Sequence, residues 1–321
     1  MMCAGIRARA PLLAGGAAAR RCLPGLRAAS LAAPLCRGLA PLGRAPPFAR
    51  SRSFSSGGSS GPSGLRTAFS SEDGIFEITM LGDSKDEKMS WGTQVQEHRI
   101  TPTAVVGLNA ALDEALATPS AKSVLLRGEG RFFSNGFDLL WMDANGEKCD
   151  ALQADTERLL ARVLGFPMPT VACLNGHCTA AGAMLALAFD KRVMRSDLGW
   201  FFVPGIDIGL VYSPGMTQLM RAKLPVPMQS DVLTFGQRYQ AEELVQLGVV
   251  KAAVKGETEV HSRARELALE VGPKGKHREA MRGIKACLYA EAIAALESPD
   301  KGGGMGFVSR DGAGKSDKPS T

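Results

Sequence analysis

Between residues 73 and 297, short apolar runs take turns with longer stretches of helical spacing, and no other feature constrains the fold as strongly. The runs at 75–81, 123–127 and 170–174 have the length and apolar content of buried strands. Shorter ones follow near 192–194 and 200–203. Between them, 103–117, 151–165 and 180–189 carry apolar residues at helical spacing. Strand and helix in alternation predict an α/β fold. From residue 214 onward helical patterns dominate, at 215–223, 227–235, 241–247, 257–271 and 276–296, so a helical C-terminal region is expected to pack on the sheet core. The domain boundaries expected from these shifts are a core at 73–256 and a helical region at 257–297.

Charge separates the N-terminal segment from the rest. Residues 1–56 hold nine arginines, no lysine and no acid, and removing that +9 from the chain's net +6 leaves −3 for the remainder. The basic balance therefore belongs to the leader, and a nucleic-acid partner loses its support. An Arg-rich, Ala-rich and acid-free segment is what an import sequence needs, since a positive amphipathic stretch is drawn toward a negatively charged compartment. The sequence Arg50-Ser51-Arg52-Ser53-Phe54-Ser55-Ser56 resembles a mitochondrial processing site, and residues 1–56 are read as a cleavable transit peptide cut near Phe54. The mitochondrial matrix is the expected destination, with a plastid or the peroxisome as alternatives. Lys318-Pro319-Ser320-Thr321 lacks a peroxisomal tripeptide of the S-K-L kind. Residues 57–72 are Gly/Ser-rich and read as a flexible linker, while 298–321 read as a disordered tail.

Cleavage leaves Cys149, Cys173, Cys178 and Cys287, with no CxxC pair, so reduced thiols are expected. His98, His177, His261 and His277 lack metal-ligand spacing, and no metal is expected. No apolar run approaches the roughly 18 residues that span a bilayer. A dinucleotide loop and a G-x-S-x-G nucleophile elbow are both missing.

Two loops draw attention. Gly130-Arg131-Phe132-Phe133-Ser134-Asn135-Gly136-Phe137-Asp138-Leu139 follows a predicted strand and ends in an aspartate able to cap a turn. On its own it is also compatible with an ordinary connection in which Gly136 supplies a positive φ. The second, Pro167-Met168-Pro169-Thr170-Val171-Ala172-Cys173-Leu174-Asn175-Gly176-His177, leads into Thr179-Ala180-Ala181-Gly182-Ala183. Small residues crowd this helix start, where unpaired amides and the helix dipole meet developing negative charge. Close packing of the helix on the sheet asks for the same small residues.

Together the loops resemble the crotonase (enoyl-CoA hydratase/isomerase) family, whose members carry F-S-x-G-x-D after one strand and P-x-P-T-x-A-x-(I/L)-N-G-x-x-x-x-x-G before the next helix. The likeness spans about 75–290. It continues through Asp190-Lys191-Arg192, Asp207-Ile208-Gly209-Leu210 and the segment from Ala241 to Val250. Plant-type Δ3,Δ2-enoyl-CoA isomerases are the most similar branch, sharing the wording FFSNGFDL. The resemblance implies a ClpP/crotonase-like spiral of ββα units around perpendicular sheets, assembly as a homotrimer or hexamer, and an acyl-CoA thioester as ligand with no other cofactor.

Carried over position by position, the resemblance makes the Phe137 and Ala181 amides an oxyanion hole, with Ser134, Asn135, Gly136, Asp138, Ala180, Gly182 and Gly205 around the substrate. Each such donor contributes roughly 3 kcal/mol in a dry site. The family's two catalytic glutamates fall on Met184 and Gly205, neither of them acidic. Asp207, two residues on, would face the same side as Gly205 on an extended segment and is the candidate base. Tyr212 is a weaker one, its ordinary pKa being near 10. His177 is expected to order its loop; Met184, Leu185 and Leu187 to sit in the core; Phe137, Trp141 and Met142 to line an acyl channel or cover the sheet edge. The reaction expected is Δ3,Δ2-enoyl-CoA isomerisation in β-oxidation of unsaturated fatty acids. A catalytically inactive acyl-CoA binder and a thioester hydrolase or hydratase are the competing expectations.

Overall fold

In the computed structural model the residues described are 64–81, 96–299 and 306–307. The expected transit peptide lies outside them. The chain runs through β1 (Leu65–Ser70), β2 (Ile75–Met80) and α1 (Pro102–Ala117) into three successive ββα units. The first unit is β3 (Ser123–Gly128), β4 (Phe132–Ser134), α2 (Leu139–Ala144) and α3 (Cys149–Leu164). The second is β5 (Thr170–Leu174), β6 (His177–Thr179) and α4 (Ala180–Ala188); the third is β7 (Lys191–Arg195), β8 (Phe201–Phe202) and the short turn α5 (Gly205–Ile208). There follow β9 (Leu210–Val211), α6 (Pro214–Lys223), α7 (Val226–Leu233), α8 (Ala241–Gln246), β10 (Ala253–Val254), α9 (Glu257–Val271), α10 (Arg278–Leu288), α11 (Ala290–Leu296) and β11 (Gly306–Phe307).

Each unit gives one strand to each of two sheets. The larger has the order β1-β2-β3-β5-β7-β10, parallel except for the antiparallel β1–β2 pair, and the smaller has the order β4-β6-β8, all parallel. A parallel sheet is covered on both faces, so its strands alternate between two cores rather than between core and water. Phe76, Ile78, Val124, Leu126, Ala172, Leu174 and Met194 join the main core with α1, α3, α4 and α6. Ile75, Leu125, Val171, Cys173 and Val193 face the other way, onto Val260, Ala264, Leu267 and Ala268 of α9. Those α9 residues recur at the i, i+4, i+7, i+8 spacing of a helix with one buried stripe.

Several expectations are corrected. The linker expected over 57–72 gives way at Leu65 to β1, which pairs with β2 through six residues: Arg66, Thr67 and Ala68 are poor flexible-chain residues once a neighbouring edge can take their backbone groups. The core therefore begins before residue 73. Within the tail expected to be disordered, Gly306–Phe307 pairs antiparallel with Leu210–Val211. The single helix expected over 276–296 is two, broken at Tyr289, whose ring lies 4.8 Å from the Lys223 ammonium and whose hydroxyl accepts from it at 3.3 Å. Among the described residues no helix is long and apolar enough to cross a membrane.

Candidate active site

The three strands of the small sheet point the same way, so the loops leaving their C-terminal ends share one rim, the edge at which parallel α/β sheets place ligands. Ser134 leads to Gly136 and Phe137, Thr179 to Ala180 and Ala181, and Phe202 to Val203 and Gly205. The sequence expectations at the first two loops and Gly205 are thus brought together by strand order.

The first two loops touch. Gly136 has φ +84°, and a β-carbon there would stand 2.7 Å from Ala180 Cβ and 3.0 Å from the Ala181 nitrogen. Only glycine fits both the backbone angle and the gap. Ala180 itself has φ +50°, a conformation alanine rarely adopts, at the first turn of α4. Ala181 follows it in the first turn of α4, where an amide has no intrahelical acceptor. Among the described residues neither the Phe137 nor the Ala181 amide donates a hydrogen bond to the protein. Two orphan N–H groups, one at a helix N-terminus, lie on loops in contact, which is the arrangement that holds an oxyanion.

Side chains hold the loops in place. The Ser134 hydroxyl donates to His98 O at 2.7 Å and accepts from the Gly136 amide at 3.3 Å. Asn135 donates to Glu97 at 2.9 Å and accepts from the Thr179 hydroxyl at 2.7 Å, tying the first loop to the second. Asp138 caps α2 through the Trp141 amide at 3.0 Å and meets Arg99 at 3.3 Å. The polar side chains of 134, 135 and 138 are thus engaged within the protein, and what these residues offer a ligand is backbone. Gly182 lets α4 close on β4, since a β-carbon there would fall 2.5 Å from Ser134 O.

Behind the rim, Asn175 accepts from the Gly128 amide at 2.9 Å and donates to Gly130 O and Phe132 O, both at 3.0 Å. Buried Arg192 closes the far end of α4, donating to Ala186 O, Leu187 O and Phe189 O as well as to Val249 O. Sequence reasoning passed over Asn175, Arg192, Glu97 and His98 as site supports. A buried-type polar residue directly after an apolar strand was the available sign for Asn175. His177 packs its ring on Phe132 at 5.0 Å, and burial, with Arg131 nearby, pushes its pKa down. It is the first residue of β6, in surroundings that favour the neutral imidazole. Met184, Leu185 and Leu187 are buried core, while Trp141 and Met142 pack partly buried beside it.

The third loop departs from expectation. Residues 205–208 form a helical turn, closed by Gly209 at φ +67°. Two residues along a helix is a rotation of about 200°, so Asp207 and Gly205 face opposite ways. The extended segment assumed in placing them on one side is overturned. The Asp207 side chain is exposed, near Gly236. Gly205 is instead covered by Tyr212, whose hydroxyl accepts from the Gly205 amide at 2.7 Å and donates to Val203 O at 3.1 Å. Among the described residues no cluster of His, Cys, Asp and Glu has the makings of a metal site.

Comparison with known proteins agrees with this architecture. The enoyl-CoA hydratase/isomerase family profile matches residues 97–299. Enoyl-CoA delta isomerase 2, peroxisomal, of Arabidopsis thaliana is 32% identical over 231 residues, covering 69% of this chain and 91% of that protein. Enoyl-CoA delta isomerase 3 of the same plant is 34% identical over 230 residues, covering 70% and 92%. Among solved structures, an enoyl-CoA hydratase/isomerase family protein from Pseudomonas syringae superposes with a TM-score of 0.63 at 23% identity, covering 73% of this chain and 96% of that one.

Proposed function

The chain belongs to the enoyl-CoA hydratase/isomerase family, and from that premise we propose that it is a Δ3,Δ2-enoyl-CoA isomerase of unsaturated fatty-acid β-oxidation. The observation that carries the reading is the pair of orphan amides at Phe137 and Ala181 on touching loops. Removing an α-proton from an acyl thioester, or attacking its carbonyl, places negative charge on the thioester oxygen. Two fixed donors stabilise that charge, at roughly 3 kcal/mol each. The substrate brings its own coenzyme A, and the reaction needs no further cofactor. Identity to the plant isomerases along most of the chain supports isomerisation within the family.

Asp207 is the one carboxylate of the third loop and the candidate base to be tested, with its side chain exposed and directed away from Gly205. A second reading is favoured by the absence of acids at 184 and 205: a family member that binds acyl-CoA through the same hole without isomerising it. Thioester hydrolysis at that hole is the third outcome.

The composition of residues 1–56 supports the mitochondrial matrix as the compartment, and the peroxisomal names of two plant relatives support the alternative. We assign a homotrimer or a hexamer of two trimers, to be read by light scattering. The functional test uses protein beginning at Gly57, 3-enoyl-CoA as substrate and the conjugated product as readout. Turnover lost in Asp207→Asn supports the isomerase and its base. Turnover retained in that variant removes Asp207 from the mechanism. Thioester binding without turnover replaces the isomerase by the binder, and release of free CoA by the hydrolase.

A further inference from the structure

The third loop of the rim holds a matched pair of residues. A β-carbon at Gly205 would stand 2.2 Å from the Tyr212 hydroxyl, 2.3 Å from its Cζ and 2.6 Å from its Cε1. Those distances are far inside van der Waals contact, and the atoms belong to a ring held at both ends. Its hydroxyl is fixed by the Gly205 amide and Val203 O. Its backbone is fixed by the start of α6, where Ser213 caps the Met216 amide at 3.1 Å and Pro214 opens the helix. Gly205 lies in a right-handed helical turn and, unlike Gly136, has no positive φ to explain it. It is glycine for space alone, and the space is filled by a phenol.

Strand order β4-β6-β8 places this loop directly beside the one carrying Ala181, on the side away from Phe137. The Gly205–Tyr212 pair is thus on the loop next to the amide that would hold a thioester oxygen. We propose that Tyr212 is a specificity-determining residue of the thioester site, its hydrogen-bonded ring standing in the room of a residue-205 side chain and restricting the site to acyl groups unbranched beside the carbonyl. The inference rests on the Phe137–Ala181 hole being a thioester site.

The hydroxyl suits a wall better than a base. Its one proton goes to Val203 O and one lone pair to the Gly205 amide. Burial pushes its pKa up, the Gly205 amide opposes that, and the charge of Asp207 adds to it. The phenol stays neutral across the physiological range. On this reading Tyr212 adds a neutral phenol to the rim beside the two amide donors.

The test measures by calorimetry the affinities of butyryl-CoA, isobutyryl-CoA and free CoA for wild type, Tyr212→Phe and Tyr212→Ala, alongside melting curves for Gly205→Ala and the Gly205→Ala/Tyr212→Ala pair. Wild type is expected to prefer the straight acyl group. Tyr212→Ala should narrow that preference by about tenfold, the scale on which a pocket discriminates a methyl group, with free CoA unchanged. Tyr212→Phe should keep it, because the ring remains. Gly205→Ala should lower the melting temperature in the wild-type background and much less beside Tyr212→Ala. A folded Tyr212→Ala whose straight-to-branched ratio stays within twofold of wild type overturns the inference, as does a Gly205→Ala variant as stable as wild type. Wild type that binds acyl-CoA no better than CoA overturns the thioester reading itself, and the specificity role falls with it, while the melting curves still report the pairing.

Discussion

Gly136→Ala is the substitution that most directly opposes the oxyanion reading, and its consequences separate into two parts. At φ +84° an L-residue with a β-carbon is strained, at about 1–2 kcal/mol. The β-carbon would also lie 2.7 Å from Ala180 Cβ and 3.0 Å from the Ala181 nitrogen, against carbon contacts that are comfortable at roughly 3.5–4 Å. One loop must retreat by about 1 Å, and the Phe137 amide, one peptide beyond, moves with it. An oxyanion donor acts only within a few tenths of an ångström of its hydrogen-bond distance, so about 10²–10³ in kcat is at stake. The control is Gly130→Ala, at φ +74° with no atom within 4 Å of the added carbon. It carries the backbone strain without the collision. Both variants should melt roughly 2–8 °C lower than wild type, yet only Gly136→Ala should lose turnover of 3-enoyl-CoA and the affinity gained by acyl-CoA over CoA. If Gly136→Ala keeps activity within threefold of Gly130→Ala, the two loops do not form the hole.

Other regions make independent predictions. Burial alone would raise the Glu77 carboxyl, but His261 at 3.0 Å and Arg127 at 3.0 Å outweigh it and hold the pKa at about 2, below the ordinary 4.5. A depressed carboxyl stabilises the fold above its unfolded pKa and loses that contribution as pH falls. Wild type should therefore lose about 2 kcal/mol between pH 4.5 and 2 after solvent screening is allowed for, and Glu77→Gln should flatten this part of a urea-monitored pH profile; an unchanged slope refutes the assignment. Lys285 donates to Phe166 O, Met168 O and Asp190, the last at 2.6 Å. Lys285→Ala should cost about 3 kcal/mol by leaving Asp190 without its cation, and a melting temperature within 2 °C of wild type would contradict this. Burial pushes the Cys173 thiol up to about 12 and raises Cys178 as well, whereas Cys287 is exposed. Mass mapping after brief iodoacetamide treatment of native protein at pH 8 should find Cys287 alkylated and Cys173 and Cys178 untouched until the protein is unfolded.

What could be read from residues alone follows the length over which a pattern repeats. Glu257–Val271 was legible to the residue because its apolar stripe, Val260, Ala264, Leu267, Ala268 and Val271, recurs over about three turns. Ser123–Gly128 and Thr170–Leu174 were legible because strands buried on both faces read as apolar runs. Phe132–Ser134 and His177–Thr179 are three residues each, too short to show any period, so of the small sheet only the strand near 200–203 was legible from the residues, and a second sheet was expected from the family resemblance alone. The break at Tyr289 carries no glycine or proline to mark it; in the fold Tyr289 is where Lys223 of another helix makes contact. Gly209 was a readable sign that Ile206-Asp207-Ile208 is a turn of helix rather than a strand, since glycine in a left-handed conformation commonly ends one. Glycine at 205, where the family resemblance puts a glutamate, reads in sequence as missing machinery. In the fold, the room that a side chain at 205 would take is filled by the ring of Tyr212, seven residues on. Restoring a carboxylate by Gly205→Glu alone meets the ring, and only the double change with Tyr212→Ala opens room for it. The chemistry of the third loop is therefore set by two residues jointly.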